Sequence, residues 1–561
     1  MNSLHTKDYL VFLLYFIIVA GYGYWIYRRK RKASVSASHD YFLAEGSLTW
    51  WAIGASLIAS NISAEQFIGM SGNGFTMGLA ISTYEWMAAA TLLIVAIFFI
   101  PVYLKNKIYT MPQFLNQRYN STVAMIMAVF WLLLYVIVNL TSILFLGALA
   151  ISSISGISLT ACMVFLAAFA IIITLGGMKV IGYTDVIQVF FLILGGLVTT
   201  YLALDLVAKH FGGDGIVDGF KQLTRNADDH FHMIFKKDNP YYMSLPGLTV
   251  LVGGMWIVNL SYWGCNQYIT QRALGADLNT ARKGILFAAF LKLLMPVIVV
   301  LPGIAAFVLH QNGYFQQEMM VNGELMQDKA YPVLLNLLPA GLKGLAFAAL
   351  TAAVVASLAG KANSIATIFT LDIYKKKINV DADEKKMVWV GRTTVIIAMV
   401  IAVLIAPLLG IDKKGGFEFI QEYTGFVSPG IFAMFILGFF WKKTTSAAAM
   451  FATIGGFALS VIFKVLPTWT NLEWLSPYGF SKQVAQKDGS MLYEIPFLDR
   501  MGFVFVICVL VMIAISLYQT RRGVVAKGLE VDSKMFKMSP GFLVGALIVC
   551  GILTALYTIY W

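Results

Sequence analysis

The sequence predicts an all-α membrane protein with about fourteen transmembrane helices, and three observations predict it. Of its 561 residues, 59% are hydrophobic and 12% charged, whereas a soluble domain carries roughly 25% charged residues. Apolar runs of about 20 residues recur along the chain, each long enough to cross a hydrocarbon core roughly 30 Å thick. The runs are continuous rather than alternating, which disfavours a β-barrel and leaves helices as the way to satisfy the backbone in lipid.

Spans are expected near residues 8–27, 50–73, 78–103, 123–152, 158–176, 183–207 and 246–264. The rest are expected near 284–309, 339–371, 391–409, 420–440, 447–466, 501–518 and 541–560. The first is read as a span and not a signal peptide, because the basic cluster Arg28, Arg29, Lys30, Arg31 and Lys32 follows it instead of preceding it. With the N-terminus outside, the short cytoplasmic loops collect that cluster together with Lys105, Lys107, Arg118, Arg272, Arg282, the Lys375–Lys377 run, Lys442 and Lys443. The positive-inside rule then puts both termini outside. It also accounts for the net charge of +12, so no nucleic-acid partner is needed.

Cys162, Cys265, Cys508 and Cys550 stand at unrelated spacing, and neither a disulfide framework nor a zinc site fits them. The six histidines fall in termini or loops, and His230 and His232 read as part of a solvated loop. A haem or intramembrane metalloenzyme is therefore not expected.

Spans two to six and seven to eleven form two groups of five. Five is odd, so the groups have opposite topology. Each opens on an interrupted helix, with Ser60, Asn61 and Ser63 in the first and Asn259, Ser261 and Gly264 in the second. Broken helices at matching positions of inverted halves point to a transporter binding site. The expected organisation is an N-terminal extra helix and basic cytoplasmic loop (1–49), a first repeat (50–207), an extracellular loop (208–245), a second repeat (246–440) and C-terminal extra helices (441–561). Loops 208–245 and 467–500 read as small structured lids, since Trp469, Trp474, Tyr478 and Phe480 are not expected to stay solvated. Residues 372–390 read as a charged cytoplasmic link.

Ser63-x-x-Gln66 has the form of a capping box that would start a second half-helix. Unwinding before it frees carbonyls such as those of Ala59 and Ile62 for a cation, although a polar helix-packing interface would use the same residues. Glu85 and Lys292 sit inside apolar spans, where ionisable groups are costly and functional candidates by default; a structural ion pair is the alternative. With the amides of Gln66, Asn259 and Gln421 they supply donors and acceptors for a polyhydroxylated ligand. Tyr84, Tyr262 and Phe417 offer flat apolar faces, and Asn259 and Tyr262 share one helix face.

Ile62–Gly69, Tyr84-Glu85-Trp86, Thr184–Gln188, Gln267-Tyr268-Ile269, Ala366–Phe369, Asp372-Ile373-Tyr374 and Gln421–Gly425 resemble the sodium/solute symporter family. Within it they look most like the sodium/glucose cotransporters, nearest the bacterial sodium/galactose symporters. The resemblance spans nearly the whole chain. It implies a leucine-transporter-like inverted repeat of five plus five helices and sodium-driven sugar uptake. Carried over by position, it implies sugar contacts from Gln66, Glu85, Asn259, Lys292 and Gln421. It implies outer closure by Met70, Tyr84 and Phe417 and an inner gate at Tyr262. A sodium site would use the carbonyls of Ala59, Ile62 and Ala353 and the Ser357 hydroxyl, with Asp185 on a sodium exit route or else a helix-end charge.

Two departures stand out. Ala88 occupies a position where the family has a sugar-contacting serine, and Ala356-Ser357 stands where it has paired serines. Lys361, one turn after Ser357, would repel sodium or partly stand in for it, or else snorkel to the inner interface, the commoner case for such a lysine. The expected function is sodium-coupled import of a hexose by alternating access at the cell membrane, by a monomer or homodimer. The alternatives are another solute such as inositol or a carboxylate, a sugar carrier with weak or absent sodium coupling, and a sugar-binding sensor. A sensor would be expected to carry a signalling domain, and the last span runs to Trp561. No G-x-x-x-x-G-K-[ST] loop is present, consistent with ion-driven rather than ATP-driven transport.

Overall fold

A computed structural model describes residues 4–28, 48–175, 178–321, 323–408, 416–486 and 489–561. The basic cluster Arg29–Lys32 lies outside the described residues. Among those described, ten helices are long and apolar enough to cross a membrane, and a further pair, Gly416–Gly425 and Ser428–Phe440, passes as one span bent by 52°. A shorter apolar helix, Leu159–Thr174, falls below that length. Each expected span overlaps helical structure; several fall short of a full crossing because they are interrupted.

The helices that position the interior are α1 (Thr6–Arg28), α2 (Trp50–Asn61), α3 (Thr83–Ile94), α4 (Met178–His210) and α5 (Gly254–Cys265). They continue with α6 (Gln267–Leu274), α7 (Leu278–Gln311), α8 (Leu342–Thr367), α9 (Gly416–Gly425) and α10 (Ser428–Phe440). α2 packs along α7, α4 and α8, and α7 packs along α3 and α4.

The first interruption falls where the polar residues predict it. α2 ends at Asn61, Ile62 turns extended (φ −78°, ψ 111°), and a π turn, Glu65–Met70, restarts the helix into Ser71–Met77. The capping box forms: Ser63 Oγ accepts from Glu65 N–H (3.1 Å), and Gln66 Oε1 accepts from Ser63 N–H (3.0 Å).

The second interruption differs from expectation. α5 runs through Asn259, Ser261 and Gly264 to Cys265, and the break comes at Asn266 (φ −108°, ψ 124°). Asn259 is tolerated in the helix because its Nδ2 donates back to Met255 O (3.2 Å). Gly264 serves close packing instead: a Cβ there would collide with Phe99, and its carbonyl accepts from Tyr103 Oη (2.6 Å).

Three other expectations are corrected. The 372–390 link is mostly helical, because a π-helical segment carries α8 on to Ile378 and the next helix starts at Glu384, capped by Asp383. Trp469, Trp474 and Tyr478 remain 68%, 65% and 73% exposed, and only Phe480 packs inward, against Phe503. Exposed rings of this kind suit the headgroup level of a bilayer. His230 is docked rather than solvated: its ring stacks on Phe307 (4.0 Å between centroids), its Nε2 lies 3.1 Å from Phe75 O, and burial holds its pKa below the usual value. The 467–500 loop does carry structure, an antiparallel hairpin of Lys482–Ala485 and Met491–Glu494.

α1 packs against α8 and α4 and is pinned to the start of α8 by a carboxylate. Asp8 is fully buried, and its Oδ1 accepts from Gly341 N–H (2.7 Å) and Gly344 N–H (2.9 Å) at the start of α8. Gly344 is needed because a Cβ would run into the Asp8 backbone. Asp8→Ala leaves those amides without a carboxylate and removes about 1–2 kcal/mol of capping, which a lowered melting temperature of the purified protein will show.

Candidate functional site

α3 and α7 run side by side, held in part by Trp86 Nε1 donating to Leu293 O (3.4 Å). That register brings Glu85 to Lys292. The Lys292 ammonium donates to Glu85 Oε2 and to Asn61 Oδ1 at the end of α2, and it lies 5.2 Å from the Trp263 ring centroid on α5. The structural ion pair considered as an alternative therefore forms, inside a cavity rather than a packing seam.

That cavity is lined by all six positions expected to face a sugar: Gln66, Glu85, Ala88, Asn259, Lys292 and Gln421. Tyr84, Phe417 and Tyr262 line it as well. Tyr84 and Phe417 meet edge to face at 4.9 Å. Away from that pair, Tyr262 Oη accepts from Asn61 Nδ2 (3.0 Å) and bonds Tyr268 Oη. Met70 is buried on the same half-helix but is not part of the lining. The free space is about 50 Å³, room for a few waters at about 10–15 Å³ each and far below the roughly 300–1,000 Å³ of a ligand-holding pocket. Within the cavity Lys292, Glu85, Asn61 and Tyr262 bond one another, and a ligand reaching these groups must compete with those bonds.

Asn61, marked in the sequence as part of the first break, also lines the cavity, with Glu65, Asn139, Trp263, Asn266 and Lys361, which were outside the expected contact set. Glu65 carried the same signal as Glu85, an ionisable group at membrane depth. Asn139 sits in a π-helical stretch, Leu134–Leu140, an irregularity frequent at functional sites and invisible in an apolar run.

Lys361 is the clearest correction. It does not snorkel: it is 2% exposed, and its Nζ lies 3.3 Å from Glu65 Oε1 and 5.1 Å from the Tyr268 ring centroid. A carboxylate inside the bundle removes the need to reach water.

At the helix break the donors are redistributed. In an unbroken helix Ser63 N–H would bond Ala59 O and Gln66 N–H would bond Ile62 O. Here they donate to Gln66 Oε1 (3.0 Å) and to Ser63 O (3.2 Å). α8 packs against this break, with Ser357 Oγ donating to Ser60 O (3.2 Å) and Ala353 buried one turn earlier.

Asp185 lies outside the cavity lining and is not an exposed helix-end charge. It is 1% exposed; its Oδ2 accepts from Ser56 Oγ (2.7 Å), which in turn accepts from Arg272 Nε (2.9 Å). Arg272 Nη2 stands 3.9 Å from Asp185, so α2, α4 and α6 meet at one buried charge pair.

Residues 41–456 match the sodium:solute symporter family. The chain belongs to that family. It is 46% identical to the sodium/glucose cotransporter of Vibrio parahaemolyticus over 100% of this chain and 99% of that protein. It is 33% identical to the human sodium/myo-inositol cotransporter 2 over 83% of this chain and 70% of that protein. Among solved structures it is similar to a substrate-bound, outward-open sodium-coupled sialic acid symporter (TM-score 0.74, 22% identity, 94% of this chain and 100% of that one). This member of the family is accordingly a multi-pass, sodium-coupled solute carrier and not an enzyme.

The Glu85–Lys292 pair is expected to serve the solute rather than the fold alone. Lys292→Ala leaves a buried carboxylate unpaired, costing about 3–5 kcal/mol, and should lower both the melting temperature and solute uptake, the latter at least about a hundredfold. A neutral Glu85→Gln/Lys292→Met double variant should regain the melting temperature but not the uptake, as thermal unfolding and proteoliposome flux will show.

Proposed function

We propose that this symporter imports a hexose, galactose- or glucose-like, with sodium by alternating access. The observation that carries the reading is the convergence of Gln66, Glu85, Asn259, Lys292 and Gln421 on one cavity at the break of the first half-helix. A carboxylate, an ammonium and three amides present donors and acceptors to several hydroxyls at once, and Tyr84, Trp263 and Phe417 supply ring faces for the apolar side of a sugar. The near-full-length likeness to a sodium/glucose cotransporter supports the same substrate class. A second reading, a cyclic polyol such as inositol, is favoured by the likeness to a myo-inositol cotransporter.

Sodium in this proposal is co-substrate, held by the carbonyls of Ala59, Ile62 and Ala353 and the hydroxyl of Ser357. The diverted Ser63 and Gln66 amides support it, since they leave two of those carbonyls without their regular helical donors. A hard monovalent cation suits such a neutral oxygen set. Ala356 contributes no oxygen, so the site has one fewer ligand than the family pattern implies. Asp185, buried beside α2, would serve as a way station for the ion leaving towards the cytoplasm.

The finer architecture belongs to the same reading: fourteen crossings, with residues 50–207 and 246–440 as inverted repeats of five helices each around the cavity. Residues 1–49 and 441–561 would be flanking helices and 208–245 an extracellular loop. Both termini would face outward from the cell membrane, in a monomer or homodimer. Chain breaks at Ile62 and Asn266, one in each group, support the repeat.

In proteoliposomes, replacing sodium by choline should abolish concentrative hexose uptake, because each sodium supplies about 2.3 kcal/mol per 100 mV plus its gradient. Unchanged accumulation in choline would refute coupling, and a competition panel of hexoses, inositols and carboxylates would rank the substrate class. Ala356→Ser restores a hydroxyl and should raise the apparent sodium affinity several-fold. An unmoved sodium dependence would remove that position from the site.

A further inference from the structure

One helix, α8, holds both sides of the break. Ser357 reaches the last turn of the first half through Ser60 O, and Lys361 reaches the start of the second half through Glu65. Ser357 and Lys361 are four residues apart and so share a face of α8. The side chains of Lys361 and Glu65 are 3% and 8% exposed. Lys361 therefore sits about one helical turn along α8 from the proposed sodium ligand Ser357, in an interior where charges act on each other strongly. Alone it would repel an incoming cation. Glu65 cancels it, and Lys361 in turn cancels a carboxylate that would attract one.

We propose that the Glu65–Lys361 pair sets the sodium affinity of this carrier, each partner masking a charge that would otherwise move that affinity in the opposite direction. This rests on the sodium-site reading above. Neither residue belongs to the sugar set expected from the sequence, yet both line the same cavity. Two further groups fix the pair: the Tyr268 ring beneath the ammonium, and Ser63 Oγ, which accepts from Glu65 N–H and orients the start of the half-helix. The nearest other charges lining the cavity, Glu85 and Lys292, already neutralise each other.

The test is the apparent sodium affinity of the full-length carrier, read from sodium-dependent hexose uptake and from sodium-dependent thermal stabilisation of the purified protein. Lys361→Met exposes the Glu65 carboxylate and should raise sodium affinity about tenfold, while Glu65→Gln exposes the ammonium and should lower it about tenfold. The double variant should stay within about twofold of the unmodified carrier, because the net charge of the site is unchanged. Opposite signs in the single variants support the proposal. Shifts of the same sign are what a purely structural tie would give, and they overturn it. A double variant whose sodium affinity falls tenfold or more also overturns it, even where a single variant fails to fold. Ser357→Ala separates the two layers. If it leaves sodium affinity unchanged, the sodium site itself is wrong; if it weakens sodium while the pair variants do nothing, only the pair proposal falls.

Discussion

An ammonium in the interior of a membrane protein needs a carboxylate beside it, and the central cavity of this carrier holds two such ammoniums. Lys292 is met by Glu85 across α7 and α3, and Lys361 by Glu65 across α8 and the second half-helix. Breaking a buried pair costs about 3–5 kcal/mol, so these two contacts help hold together helices that already pack around the cavity. Glu85 and Lys292 are also occupied by each other, so in the proposed reading a solute must compete with that pair.

The second constraint is the break at Ile62 and Ser63. A capping box turns the chain there and hands the Ser63, Glu65 and Gln66 amides to new acceptors. Ser357 and Lys361 dock α8 on the two sides of that break, and Lys292 reaches Asn61 at its edge. In the proposed reading the solute and ion sites share a wall. An ion bound at the break, as proposed, would change the surroundings of Asn61 and through it the hold on Lys292, a route for coupling the two cargoes.

Much of this was legible in the chain. Apolar run lengths located the helices, and Ser63-x-x-Gln66 located the first break. Charged residues inside apolar spans, Glu85 and Lys292, pointed to the cavity. What stayed hidden depended on partners distant in sequence. Lys361 reads as a snorkelling lysine until the fold puts Glu65 beside it, 296 residues away in the chain. Asp185 reads as a helix-end charge until Ser56 and Arg272 enclose it. The second break was misplaced by a few residues because Asn259 satisfies its own amide within the helix, while the chain turns at Asn266. Trp469, Trp474 and Tyr478 were expected to be covered because rings avoid water, but a bilayer surface accommodates them.

The account centres on a solute that takes the place of the bridge made by Lys292. The most direct measurement is an electron cryomicroscopy structure of the purified carrier with saturating sodium and a transported hexose. The account predicts sugar density between Glu85 and Lys292, flanked by Gln66, Asn259 and Gln421, with the Lys292 ammonium drawn away from Asn61. Sugar bound elsewhere, with the Glu85–Lys292–Asn61 bridge intact, would contradict it.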